Sequence, residues 1–88
     1  MGTEHESGDA IGMVTHYFSH LSVAAVALTA PLAVGQRIHI RGHTTDLEQT
    51  VASMQVDHGA VAAAAPGDDV ALKVDGHVRD RDLIFREG

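Results

Sequence analysis

The chain contains no cysteine and no tryptophan, and its aromatic content is one tyrosine and two phenylalanines in 88 residues. Lack of cysteine excludes a disulfide framework, thiolate zinc sites and thiol catalysis, and it accords with a reducing compartment. The cytoplasm is the expected location. With aromatics at 3%, the interior has to be filled by Val, Ile, Leu, Ala and Met, which suits the narrow core of a small β-barrel. Positive charge is also scarce. Six Lys and Arg stand against twelve Asp and Glu, a formal net charge of −6, so long-range repulsion disfavours direct binding of nucleic acid. Long apolar runs are missing as well: the stretch 21–34 is interrupted by Ser22, Thr29 and Pro31 and falls short of the roughly 20 residues a bilayer-spanning helix requires. No membrane association is expected. Neither a Gly-x-x-x-x-Gly-Lys-Ser/Thr loop nor a Gly-x-Ser-x-Gly elbow occurs, so there is no nucleotide cradle and no activated serine.

What is present reads as one small domain, because a chain of this length supports a single core. Residues 1–10 are acidic, contain glycine and lack periodicity, which predicts a disordered tail; residues 11–88 form the domain. Its organising stretch runs from Leu32 to His58. Along 36–41, Ile38 and Ile40 point one way while Arg37, His39 and Arg41 point the other, the period of two of a half-buried strand. Gly42 ends that strand, and the polar residues His43 to Asp46 turn the chain into a second run beginning at Leu47. There the parity changes. Val51 and Met54 are both apolar but an odd number of steps apart, so one extra residue near Ala52-Ser53 has to form a β-bulge and bend the strand.

Elsewhere, the stretch 11–18 and the run 23–28 read as a hairpin around a turn at 19–22. Gly35 turns the chain by adopting a positive φ. Pro66-Gly67 fits the two central positions of a type II turn. The run 59–65 is ambiguous between a short strand with a loop and a helical turn. Val70, Leu72 and Val74 share one face of a strand, and Leu83 and Phe85 share one face of the last, Asp82 to Arg86. The fold class is therefore all-β: a small, closed or nearly closed antiparallel β-barrel of about six strands.

Three landmarks occur in order: residues 31–38 around Leu32 and Gly35, residues 50–54 around the odd step, and residues 65–70 around Pro66-Gly67. Together they resemble the β-barrel second domain of translation GTPases of the elongation factor Tu type. The run 42–46 with Ser53-Met54-Gln55 is similar to translation elongation factor-like proteins and to the barrel appended to some U32-family peptidases. The resemblance spans about residues 11–86 and implies a non-enzymatic binding module without a GTPase domain, acting through protein contacts, with a translation component as partner. The alternative it implies is an accessory barrel subunit of a U32-type peptidase. The places that hold the aminoacyl end of tRNA in the elongation factor fall on Gln55 and Asp69, and neither matches the family pattern, so that pocket is not expected here.

Seven histidines are the compositional oddity. His39 and His43 have the spacing of helical metal ligands, but on a strand and its turn that spacing spans too far. His16, His20, His39, His43 and His58 are read as residents of exposed faces and turns. No metal site, no cofactor and no zinc binding tighter than about 10 micromolar is expected. Asp68-Asp69 and Asp80-Arg81-Asp82 read as solvated turns, so no catalytic residue is assigned. Tyr17 and Phe18 face opposite sides of their strand, with Phe18 expected in the core and Tyr17 on the surface. The partner-binding surface is expected on the face of Arg37, His39 and Arg41, where local positive charge opposes the net charge, with Tyr17 the next candidate. The oligomeric state stays open.

Overall fold

The computed structural model describes residues 10–87; nearly all of the expected tail, residues 1–9, lies outside the described residues. Among the described residues ten strands follow one another: β1 (Gly12–Phe18), β2 (Val23–Leu28), β3 (Leu32–Ala33), β4 (Arg37–Arg41), β5 (Asp46–Thr50), β6 (Met54–Val56), β7 (Gly59–Val61), β8 (Ala63–Ala64), β9 (Asp69–Lys73) and β10 (Leu83–Arg86). Eight of them make one antiparallel sheet in the order β5-β4-β10-β1-β2-β9-β6-β7, and β3 pairs with β8 in a separate two-stranded ribbon. The fold is all-β, as the alternating sequence requires, but the sheet is an open, strongly curled half-barrel with β5 and β7 as its edges. It is neither closed nor six-stranded.

The count differs for a local reason. The stretch Leu47 to Val56, one bent strand in the sequence reading, divides at Val51–Ser53 into β5 and β6. The alanine-rich run after His58 likewise divides into β7 and β8. Val51 and Met54 are both 1% exposed, whereas Ala52 and Ser53 face solvent. The odd step is thus accommodated at the expected residues by an interruption of the ladder. Its consequence is large, because β5 and β6 are consecutive in the chain yet lie at opposite ends of the sheet order.

Residues 51–53 carry the chain across the opening of the half-barrel. Val51 is fixed by hydrogen bonds in both directions, from its N–H to Gln36 O (2.8 Å) and from Gly35 N–H to its O (2.9 Å). Gln49, 2% exposed, bridges the same opening with its side-chain amide. It donates to Lys73 O at 3.0 Å and accepts from Asp75 N–H at 2.8 Å, pairing backbone groups beyond the ladder's reach.

Inside the curl, Val14, Val26, Leu28, Leu32, Ile38, Ile40, Val51, Met54, Val70, Leu72, Val74, Val78 and Ile84 are all at most 3% exposed. The core is aliphatic, as the shortage of aromatics demands, and each such side chain contributes about 1.5–3 kcal/mol by leaving water. Both predicted glycine turns are present. Gly35 has φ 97° within a turn closed by Gln36 N–H to Ala33 O, and Gly67 has φ 93° within one closed by Asp68 N–H to Ala65 O.

A register shift between Val14 and His16 places a bulge in β1 at Thr15. This reverses the expected roles of the two aromatics. Tyr17 is half-buried against the core and meets His77 edge-on at 4.8 Å, while Phe18 is 38% exposed beside His16. Asp82 is a second departure. At 4% exposure it accepts the Arg79 N–H at 2.8 Å, and a side chain at Gly42 would put Cβ 1.8 Å from its Oδ1. It is a buried capping carboxylate, so only glycine fits opposite it.

Candidate functional site

Charge is concentrated on the outer face of β5, β4 and β10. Cross-strand pairing sets Arg37 opposite Thr50, His39 opposite Glu48 and Arg41 opposite Asp46, with Phe85 opposite His39 on the other side. Arg37, His39 and Arg41 therefore do share a face, but His39 does not project into solvent. It is 9% exposed, covered by its cross-strand neighbours. Its Nε2 is hydrogen-bonded to the Asp46 carboxylate, and its Nδ1 lies 3.9 Å from Glu87 Oε2. The hydrogen bond from His39, aided by the charges of His39 and Arg41, holds the Asp46 carboxyl below its usual range.

Arg37 is surrounded in the same way. Its Nε lies 3.5 Å from Glu87 Oε1, its Nη2 lies 3.8 Å from Glu48 Oε1, and its Nη1 donates to Thr50 Oγ1 at 3.3 Å. The basic strip read from the sequence is thus interleaved with Asp46, Glu48 and Glu87. These three carboxylates were missed because they come from the facing strand and from beyond the last one. A hairpin centred on His43-Thr44 would have placed Asp46 and Glu48 opposite Arg41 and His39; nothing in the sequence marks Glu87 as a neighbour.

Among the described residues, His39, Glu48 and Glu87 are the one set of three or more His and carboxylate donors that converges, with one donor atom from each within 4.8 Å of the others. Among the described residues, no three histidines come together. Tyr17 lies apart from this face, at a shallow depression shared with Val78, Arg79 and Asp80. Gln55 and Asp69, the places compared with the elongation factor, rim a 270 Å³ hollow floored by Ala25, Val70 and Ala71. Asp57 and His58 complete that rim, both at positive φ (52° and 67°) in the β6–β7 turn. On the remaining outer surface, Leu83 (39% exposed) stands beside Met13 (40% exposed) on β1 and Arg41 on β4.

No protein-family model matches the chain. It is 37% identical over 76 residues to an uncharacterized protease of Methanocaldococcus jannaschii; the matched part is 85% of this chain and 19% of that protease. In fold it is similar to the C-terminal domain of a putative U32 peptidase of Geobacillus thermoleovorans, with TM-score 0.86 and 19% identity over 91% of this chain and 93% of that domain. The selenomethionine variant of the same domain gives TM-score 0.83 at 17% identity, over 89% of this chain and 99% of that one. The peptidase side of the resemblance is the one these comparisons support. They give the elongation-factor side no support.

Proposed function

We propose that this chain is a non-catalytic docking module of the U32-peptidase type, which works by binding a peptidase catalytic unit, joined to it or supplied by another chain. The observation that carries the reading is the fold match, which takes in nearly the whole of this chain and nearly the whole of a peptidase's C-terminal domain. The identity to a protease about five times the matched length supports it. The sequence adds no serine elbow, no thiol and no nucleotide loop that would make the module an enzyme by itself.

The docking surface in this reading is the outer face of β4, β10 and β1, where the exposed pair Leu83 and Met13 lies beside Arg41. Apolar side chains next to an arginine have the composition of an interface centre. Titrating the chain into a U32-type catalytic unit stripped of its own C-terminal domain tests the proposal. Saturable binding is expected, weakened at least about tenfold by Met13→Glu with Leu83→Glu, a loss of about 1.4 kcal/mol. Absence of binding, or sedimentation with ribosomes in its place, overturns it.

A further inference from the structure

The converging donors on the outer face are held by backbone geometry. His39 and Glu48 are cross-strand partners on β4 and β5. Glu87 is fixed beside them because its N–H donates to Arg37 O at 2.9 Å. A further contact, outside the converging set, bears on what they do. Asp46 engages Nε2 of the His39 ring, and Nδ1 lies on the side of Glu87, 3.9 Å from its Oε2. A carboxylate on one ring nitrogen that orients the other is the arrangement found behind metal-bound histidines.

We propose that His39 Nδ1, Glu48 and Glu87 form a binding site for a divalent transition-metal ion. One imidazole and two carboxylates suit zinc, with water completing four-coordination. Zinc–donor distances of about 2.0–2.2 Å place the donors about 3.4 Å apart. Rotation of the glutamates, whose side chains are 52% and 31% exposed, closes the 4.8 Å spread. Arg37 is the alternative occupant. Its guanidinium lies against the same two carboxylates, its side chain is 50% exposed, and Thr50 offers it a second anchor when it leaves. The need to displace it keeps the affinity below that of structural zinc sites.

This competition gives the proposal a sign that a plain ion-pair network lacks. In a calorimetric titration of the whole chain with zinc, Arg37→Gln is expected to tighten binding severalfold. His39→Gln and the double variant Glu48→Gln with Glu87→Gln are expected to weaken it at least about tenfold, and Asp46→Asn, through the orientation of the ring, by about tenfold. His43→Gln and His58→Gln should leave it unchanged. Glu48 is exposed, so Glu48→Gln keeps the test valid if His39→Gln fails to fold. The proposal falls if zinc binds neither the parent nor Arg37→Gln, if binding survives His39→Gln, or if Arg37→Gln weakens it. The outcome is independent of whether the module docks on a peptidase.

Discussion

Two places in this sheet absorb one residue more than regular alternation allows, and they do so differently. At Thr15 the bulge leaves β1 paired with the same neighbour on both sides, Val14 facing Val26 and His16 facing Ala25. At Ala52-Ser53 the ladder stops, and the chain that left β4 as its partner resumes beside β9 at the other end of the sheet. The first is a change of twist within one pairing. The second is a change of partner. An extra residue is therefore cheap where the neighbour stays the same and structurally decisive where the neighbour changes.

Deletion experiments probe this contrast directly, since removing either residue restores regular alternation and leaves the buried side chains on their original face. If sidedness were the only issue, both deletions would be mild. Deleting Ala52 is expected to be the more severe, because the crossing is anchored by Val51 at one end and by the Lys73 N–H to Ser53 O bond at the other. Shortening it pulls Val51 or Met54 from the core at about 1.5–3 kcal/mol each and strains hydrogen bonds of about 1 kcal/mol each. A loss of about 3–5 kcal/mol in urea unfolding is the expected result, and a loss equal to that of the Thr15 deletion would erase the distinction.

Gln49→Leu tests the same crossing without altering chain length. The substitution leaves Lys73 O and Asp75 N–H without their partner, and each such group costs about 1–3 kcal/mol. With part of that cost offset by burying the apolar leucine, the expected loss is about 2–4 kcal/mol, read as a lower urea midpoint at unchanged slope. Deleting Thr15 comes next in size, at about 1–2 kcal/mol. It removes the Thr15 Oγ1–H to Ala25 O bond (3.2 Å) and the local twist, and Tyr17 should stay protected from quenchers.

The smallest effect belongs to the far end of β5. Asp46 has its folded pKa lowered from 3.8, first of all by the hydrogen bond from His39. A depressed carboxylate stabilises the fold above its unfolded pKa, and that contribution disappears as the pH falls through the folded value. The parent should therefore exceed Asp46→Asn in urea midpoint at pH 5, and the gap should close below pH 3.8. A gap that widens on acidification would contradict the assignment.

The difference between the two irregular sites also explains what could be read in advance. The step from Val51 to Met54 is flanked by apolar residues on both sides, so the parity error is written in hydrophobicity. At Thr15 the surplus residue lies among Thr and His, which carry no such record, and Tyr17 and Phe18 were consequently given each other's environments. The strand pattern of Ile38 and Ile40 and the turns at Gly35 and Gly67 were legible because alternation and positive φ have strong residue preferences. The open sheet was not, since partner choice beyond a hairpin depends on strands far apart in the chain. His39 was assigned to the right face and the wrong environment: periodicity gives direction, whereas burial came from Asp46, Glu48, Phe85 and Glu87 on neighbouring segments.

The position of β10 has a consequence for biosynthesis. It lies between β4 and β1, so until Leu83–Arg86 emerge from the ribosome the strands of the sheet fall into two pieces with no ladder between them, the β4–β5 hairpin and the set β1, β2, β9, β6 and β7. Ile84, fully buried, then joins them in one step. The last strand to be made is the one that fuses the two halves, so the folded module comes into being after translation of the segment is complete, and an unfinished chain leaves both flanks of the gap exposed as open edges.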